Sequence, residues 1–325
     1  MVLCCNITIG SLQFNAIADV SIESSWQNFT DTAKVKFPRA LYYLRNGKPV
    51  SIDKTIQELV KTGDRVSIQL GYNRVYAQEF TGYVSRSPRA TFPYEIECED
   101  EMWQLKRKKI SISEPNATVR QILETIAPGY EIDCPDERYG KISLVDVTPI
   151  TVLNELRKTA GLYSFFRNGR LVCGLVYADP KVTDVVANYA FGKNIINTDL
   201  QFVSGEDIRT IIYAQSTGAD GVVTRAAVGE EGGNVIRRDI QGDYTQEQLE
   251  AQLKREYDQL KVTGGYDGEL KSFGFPFVVH GQTVRVQDTI YEKRDSNHFV
   301  DTVKVNFSPT DGYRRTLKIS KTNEN

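Results

Sequence analysis

At 325 residues the chain is long enough for two or three domains, and 40% apolar with 25% charged residues is an ordinary globular balance. A net charge of −2 gives no global pull toward nucleic acid or an anionic bilayer, and the apolar runs are far too short to span a membrane. The start lacks the basic and apolar regions of a secretory signal. Cys4, Cys5, Cys98, Cys134 and Cys173 are odd in number, scattered and without a C-x-x-C pair, so reduced thiols in a chain made in the cytoplasm are expected rather than disulfides or zinc.

Alternation dominates the first part. In Arg65–Tyr72, "RVSIQLGY", Val66, Ile68, Leu70 and Tyr72 share one face. "YEIECE" repeats the pattern with Tyr94, Ile96 and Cys98, and Asn46-Gly47 predicts a type I′ hairpin. One short helix is expected from Asp53 to Thr62, stopped by Gly63. From 111 the grammar changes. Thr118 and Gln121 form a capping box before Val119, Ile122, Leu123 and Ile126. Thr148, Pro149 and Gly161 frame a second helix, and Asn168-Gly169 predicts a hairpin. After 183 strands return with one helix at about 245–260, announced by Thr245 and Gln248 and striped by Leu249, Leu253, Tyr257 and Leu260. The polar, Gly-rich 215–243 stretch is expected to form hairpins with a mobile tip that touches neighbours.

Two segments echo each other: "FTDTAKVKF" at 29–37 and "FVDTVKVNF" at 299–307 share six of nine letters. Aligning them leaves too little chain after the second, which points to convergent strand chemistry. "GDRVSIQ" at Gly63 and "GQTVRVQ" at Gly281 align better, carrying Ser87-Pro88 onto Ser308-Pro309 and Ile96 onto Leu317. The expected fold is therefore mainly β with an α+β insertion: two similar β-barrel-like modules, 1–110 and 183–325, flanking a small α/β domain at 111–182. Gly63, Val66, Ile68, Gly281, Val284 and Val286 are the expected repeat and barrel-core positions.

The run Gly281-Gln282-x-Val284-x-Val286, the strand Val303–Phe307, the turn Asp311-Gly312 and the last strand Thr316–Ile319 resemble the late-control D family, the baseplate hub proteins of contractile-tailed phages. That family is related to the hub part of type VI secretion spikes. Gly192, Asn194 and Ile195 resemble the opening of the family's second barrel, and Gly63, Val66, Gly71, Phe80 and Gly82 its first. The resemblance covers most of the chain through strand patterns rather than a catalytic signature. It implies a homotrimer whose six barrels form a pseudo-sixfold ring in the virion tail baseplate, meeting a hexameric tail tube on one side and a trimeric spike on the other.

Chemistry finds little foothold. His280 and His298 have no nucleophile motif nearby, and a metal held by them with Asp295 or Asp301 is the remote alternative to turn histidines. Glu97, Glu99, Asp100 and Glu101 would suit a glycan or cell-wall hydrolase if two carboxylates faced each other across a cleft, but alternation with Ile96 and Cys98 makes them a solvated face. "WQLKRKK" reads as a linking element and "GEEGG" at 229–233 as a loop without a phosphate-binding Lys. No catalysis, cofactor, metal or specific nucleic-acid binding is expected. A hydrolase or a receptor- or carbohydrate-binding tail-tip module is the alternative.

Overall fold

The computed structural model describes residues 1–38, 42–45, 48–51, 56–88, 94–174, 185–204, 209–218, 221–241, 244–260, 264–291 and 294–320. The first part holds β1 (Leu3–Ile9), β2 (Leu12–Phe14), β3 (Asp19–Ser25), β4 (Thr32–Phe37), β5 (Tyr42–Arg45), β6 (Lys48–Ser51), the one-turn helix α1 (Ile56–Leu59), β7 (Arg65–Tyr72), β8 (Val75–Val84) and β9 (Tyr94–Glu99). Helix α2 (Met102–Lys106) leads into β10 (Ile110–Thr118), α3 (Val119–Ile126), β11 (Glu131–Asp133), β12 (Arg138–Val147), α4 (Pro149–Ala160), β13 (Tyr163–Arg167) and β14 (Arg170–Gly174). The last part holds β15 (Val185–Ala190), β16 (Ile195–Thr198), β17 (Gln201–Ser204), β18 (Thr210–Thr217), β19 (Val223–Gly229), β20 (Asn234–Gln241), α5 (Gln246–Leu260), β21 (Gly264–Phe273), β22 (Thr283–Gln287), β23 (Ser296–Ser308) and β24 (Gly312–Ile319). The chain is mainly β, and no described helix is long and apolar enough to cross a membrane.

Strands of the first and last parts belong to one sheet, in the order β16-β21-β24-β23-β3-β4-β9-β8-β7-β1-β2-β5-β6. Among the described residues this path does not close on itself, so the expected barrels are open. The reason lies at β23, which gives Thr302–Phe307 to β3 instead of closing its own module. Both parts also share one apolar core. Val66, Ile68, Val284 and Val286 are all fully buried in it, each contributing about 1.5–3 kcal/mol by leaving water.

The two expected repeat segments take matching shapes. Gly63 and Gly281 both have positive φ, +94° and +79°, a conformation in which a side chain is strained. Gly63 N donates to Val84 O and Val84 N to Asp64 O; Gly281 N donates to Val300 O and Val300 N to Gln282 O. Each glycine opens an antiparallel meander, β7-β8-β9 or β22-β23-β24, with Val84 opposite Cys98 and Val300 opposite Ile319. That register makes Ile96 equivalent to Leu317. The Ser-Pro pairs are not equivalent, because Ser87 lies three positions past Val84 and Ser308 eight past Val300. One flank differs: β1 pairs antiparallel with β7, whereas β15 runs parallel to β22.

The α/β unit has its own core, centred on Ile122, Leu123, Leu153 and Leu156. Local signals decide its helices. Thr118 and Gln121 exchange both capping-box bonds, and Gly161 ends α4 at φ +68°. Asn168-Gly169 turns the β13–β14 hairpin with both residues at positive φ. The Asn46-Gly47 turn lies outside the described residues, although β5 and β6 on either side of it pair antiparallel. Of the helix expected from Asp53 to Thr62, residues 53–55 also lie outside. The described part is the single turn α1, since Gly63 and Asp64 are already hydrogen-bonded to Val84.

The 215–243 stretch makes one of the expected hairpins, β18–β19, and departs from them at β20. β18 is the central strand of a separate sheet, antiparallel to β19 and parallel to β20. Residues 230–233 carry the chain around the start of β18, with Glu230 N bonded to Thr210 O and Asn234 N to Arg209 O. Gly229 and Gly233 are required there, because an added Cβ would meet Thr210 O at 2.2 Å and Arg209 O at 2.0 Å. Ile212, Ala214 and Ile240 pack under Leu249 and Leu253 of α5, a third small core.

Candidate functional site at the module junction

The chemistry-bearing residues gather where three units meet. β3 lies between β4 and β23, the two strands of the nine-letter echo. Their shared aspartates grip the same end of β3. Asp31 accepts from Ser24 Oγ at 2.7 Å and Ser25 N at 3.3 Å. Asp301 accepts from Trp26 Nε1 at 2.9 Å, and its carbonyl accepts from Ser25 Oγ at 3.1 Å. The turn they hold docks the α/β unit: Trp26 meets Tyr163 edge-on at 4.6 Å, and Arg157 Nη1 donates to Gln27 O at 2.7 Å.

Beside this turn lies a cavity of about 630 Å3 between β8, the β13–β14 hairpin and the 277–282 segment. Asp31, Asp100, Glu101, Arg65, Arg167 and His280 are among its lining. Burial pushes the Asp31 carboxyl up to about 6 against the hydrogen bonds from Ser24 and Ser25. Asp100 is raised well above the ordinary value by burial first and by the Asp31 carboxylate second. Asp100 also accepts from Met102 N at 3.0 Å at the start of α2. Glu101 collects Arg65, Tyr83 and Tyr130 on one carboxylate. His280 is lowered to about 3 by burial and the Arg167 charge, so it is neutral at pH 7. Farther in, Arg315 bonds Glu79, with both side chains buried.

Arg167 with His280 and Arg315 with Glu79 join residues of different units, so the arrangement forms a charged joint among three units, while Asp31 and Asp100 are held by Ser24, Ser25 and backbone N–H groups. Of the carboxylates considered for sugar hydrolysis, Glu97, Glu99 and Glu101 face basic partners, whereas Asp100 and Glu101 are buried rather than on a solvated face and Asp100 lies beside Asp31. Glu97 lies 3.4 Å from Arg86 and Glu99 lies 2.6 Å from Lys106. His298 contacts Ser296 Oγ at 2.8 Å and Ser320 O at 2.7 Å, and burial lowers its pKa to about 4. Asp295 pairs with Arg285. Among the described residues no group of three or more His, Cys, Asp or Glu could hold a metal ion. Trp103 and Lys106 of the basic run lie in α2, with Arg107 stacked over Trp103 at 4.4 Å. Sequence reasoning missed Glu79, Arg315 and the paired roles of Asp31 and Asp301; only the recurrence of Asp in the echo carried any signal.

No protein-family model matches the chain, and no curated protein matches it. Solved structures do. It is similar to the tail protein from Neisseria meningitidis MC58, with TM-score 0.67 and 13% identity over 98% of this chain and 96% of that one. It is similar to the 43 kDa tail protein of prophage MuSo2 from Shewanella oneidensis, with TM-score 0.66 and 16% identity over 98% of both chains. E. coli c3393, a type VI secretion component described as structurally similar to the T4 tail proteins gp27 and gp5, matches at TM-score 0.59 and 11% identity over 98% of this chain and 77% of that one. At such identities the shared property is the fold, and it runs end to end.

Proposed function

We propose that this chain is a structural protein of a contractile phage tail or related injection baseplate, and within it the hub. Three copies form a ring with pseudo-sixfold symmetry that joins a hexameric tail tube to a trimeric spike. The observation that carries this reading is the strand order. The block β16/β17-β21-β24-β23 and the block β3-β4-β9-β8 stand side by side in one sheet, each in the sequence first, second, last, penultimate. Two near-equivalent blocks per chain let a trimer present six similar surfaces. The fold shared with tail proteins supports the location, and the buried charged joint supports transmission of load between units.

Mixing the purified protein with the tube and spike proteins of the same particle tests the reading. A ternary complex with three hub chains is expected. Failure to bind either ring, with glycan binding or peptidoglycan turnover instead, would transfer the function to the tail-tip or hydrolase alternative.

A further inference from the structure

The block repeat runs head to tail, and this leaves one of its junctions unmade among the described residues. Within one chain the penultimate strand of the second block, β23, pairs with the first strand of the first block, β3, from Thr302 opposite Ser25 to Phe307 opposite Val20. The corresponding first strand of the second block is the broken pair β16 and β17. Both lie antiparallel along β21 as β3 lies along β4. Registering Leu270 with Val35, through their partners Leu317 and Ile96, makes Gln201 the counterpart of Glu23. The outer edge of β16 and β17 pairs with no strand among the described residues. It exposes Ile196 and Phe202.

The other half of the missing junction is also present. β23 continues past Val300 to reach β3, and the chain past its counterpart Val84 continues as Ser85–Pro88. Ser85 N bonds Glu97 O, prolonging the register with β9. By that register Ser87 is the counterpart of Lys304, the residue opposite Glu23. A similar asymmetry marks the hairpins. β7–β8 rests on the second block, with Tyr72 Oη donating to Tyr313 O at 2.7 Å, whereas the tip following β22 carries exposed Ile290 and Tyr291.

We propose that a second copy of this chain adds its Ser85–Pro88 segment to the edge of β16 and β17 that is unpaired among the described residues, repeating between chains the β3–β23 junction made within one. The contact is heterologous: one copy gives the segment and the next gives the edge, so it propagates around an axis. The inference rests on the hub reading and names the surface by which its ring closes.

Cysteine substitution reads this directly, because residues opposite each other on antiparallel strands lie within disulfide reach, at about 4.5–5.5 Å between Cα atoms. The Ser87→Cys and Gln201→Cys proteins are prepared separately, mixed and oxidised, with a short bis-maleimide as a second linker. The mixture is expected to yield a cross-linked dimer containing one of each, while either protein alone gives only the background of the native cysteines. The doubly substituted chain is expected to link into a ladder that stops at a closed species. Oligomers by light scattering without the mixed dimer would overturn this junction and leave the hub reading standing. A monomer at high concentration that also gives no cross-link would contradict both.

Discussion

Arg315 of β24 reaches through the shared core to Glu79 of β8, with Nη2 2.5 Å from Oε1 and the two side chains 1% and 2% exposed. Arg315 Nε donates to Gly274 O at 3.1 Å and Nη1 to Val278 O at 2.8 Å, and Tyr313 Oη donates to the same carboxylate. Burial raises the Glu79 pKa while Arg315 opposes it. The pair is satisfied, and it ties the two β-modules together across the core. Arg315→Met alone strands a buried carboxylate and is expected to cost about 3–5 kcal/mol in urea unfolding. The double variant Glu79→Leu/Arg315→Met removes both charges and is expected to recover most of that loss. Equal losses in the single and double variants would show that the pair is not coupled.

Val284 is fully buried in the same core, while its neighbour Arg285 points outward to Asp295. Val284→Asp places an unpaired carboxylate among apolar side chains at a cost of several kcal/mol, and the second module is expected to lose its fold by circular dichroism and proteolysis. Arg285→Ser removes only an exposed pair, for about 0–1 kcal/mol. A soluble, protease-resistant Val284→Asp protein would contradict the core assignment.

Two buried titrations oppose each other. Asp31 keeps its proton up to about 6 in the folded chain against an ordinary 3.8, so its contribution is full below 3.8 and is lost as pH rises through 6. His298 is depressed to about 4 from 6.5, so its contribution is full above 6.5 and is lost as pH falls through 4. Asp100 shares the sign of Asp31 and His280 that of His298. Asp31→Asn removes one opposing partner. Its stability is expected to fall more steeply than wild type between pH 6 and pH 4 in urea titrations, and parallel curves for the two proteins would refute the assignment.

Gly233→Ala puts a Cβ 2.0 Å from Arg209 O, where the chain passes around β18. Loss of hydrogen-exchange protection confined to β18, β19, β20 and α5 is expected, since these have their own small core. Unchanged protection there would mean that the crossing tolerates a side chain.

What the sequence disclosed followed from range. Capping boxes act over three residues, so Thr118 with Gln121 and Thr245 with Gln248 were legible and their bonds are made. Period-two alternation put Val66, Ile68, Val284 and Val286 inside without knowledge of their neighbours. The parallel pairing of β18 with β20 was hidden because "GEEGG" looks like any hairpin tip, and only the register shows the chain going around β18. Glu79 and Arg315 stand 236 positions apart, and nothing local marks either as buried. The echo gave a partial signal. Its two strands are not equivalent members of the repeat; they resemble each other while flanking one strand, β3, and holding its end with Asp31 and Asp301.

Native mass spectrometry combined with end-on electron microscopy of the protein assembled with its tube protein is the most direct test of the two-block account. It predicts a ring of three chains whose low-resolution rotational spectrum is dominated by sixfold symmetry. A ring of six chains, a twofold dimer, or a chain that stays monomeric beside its tube protein would contradict it.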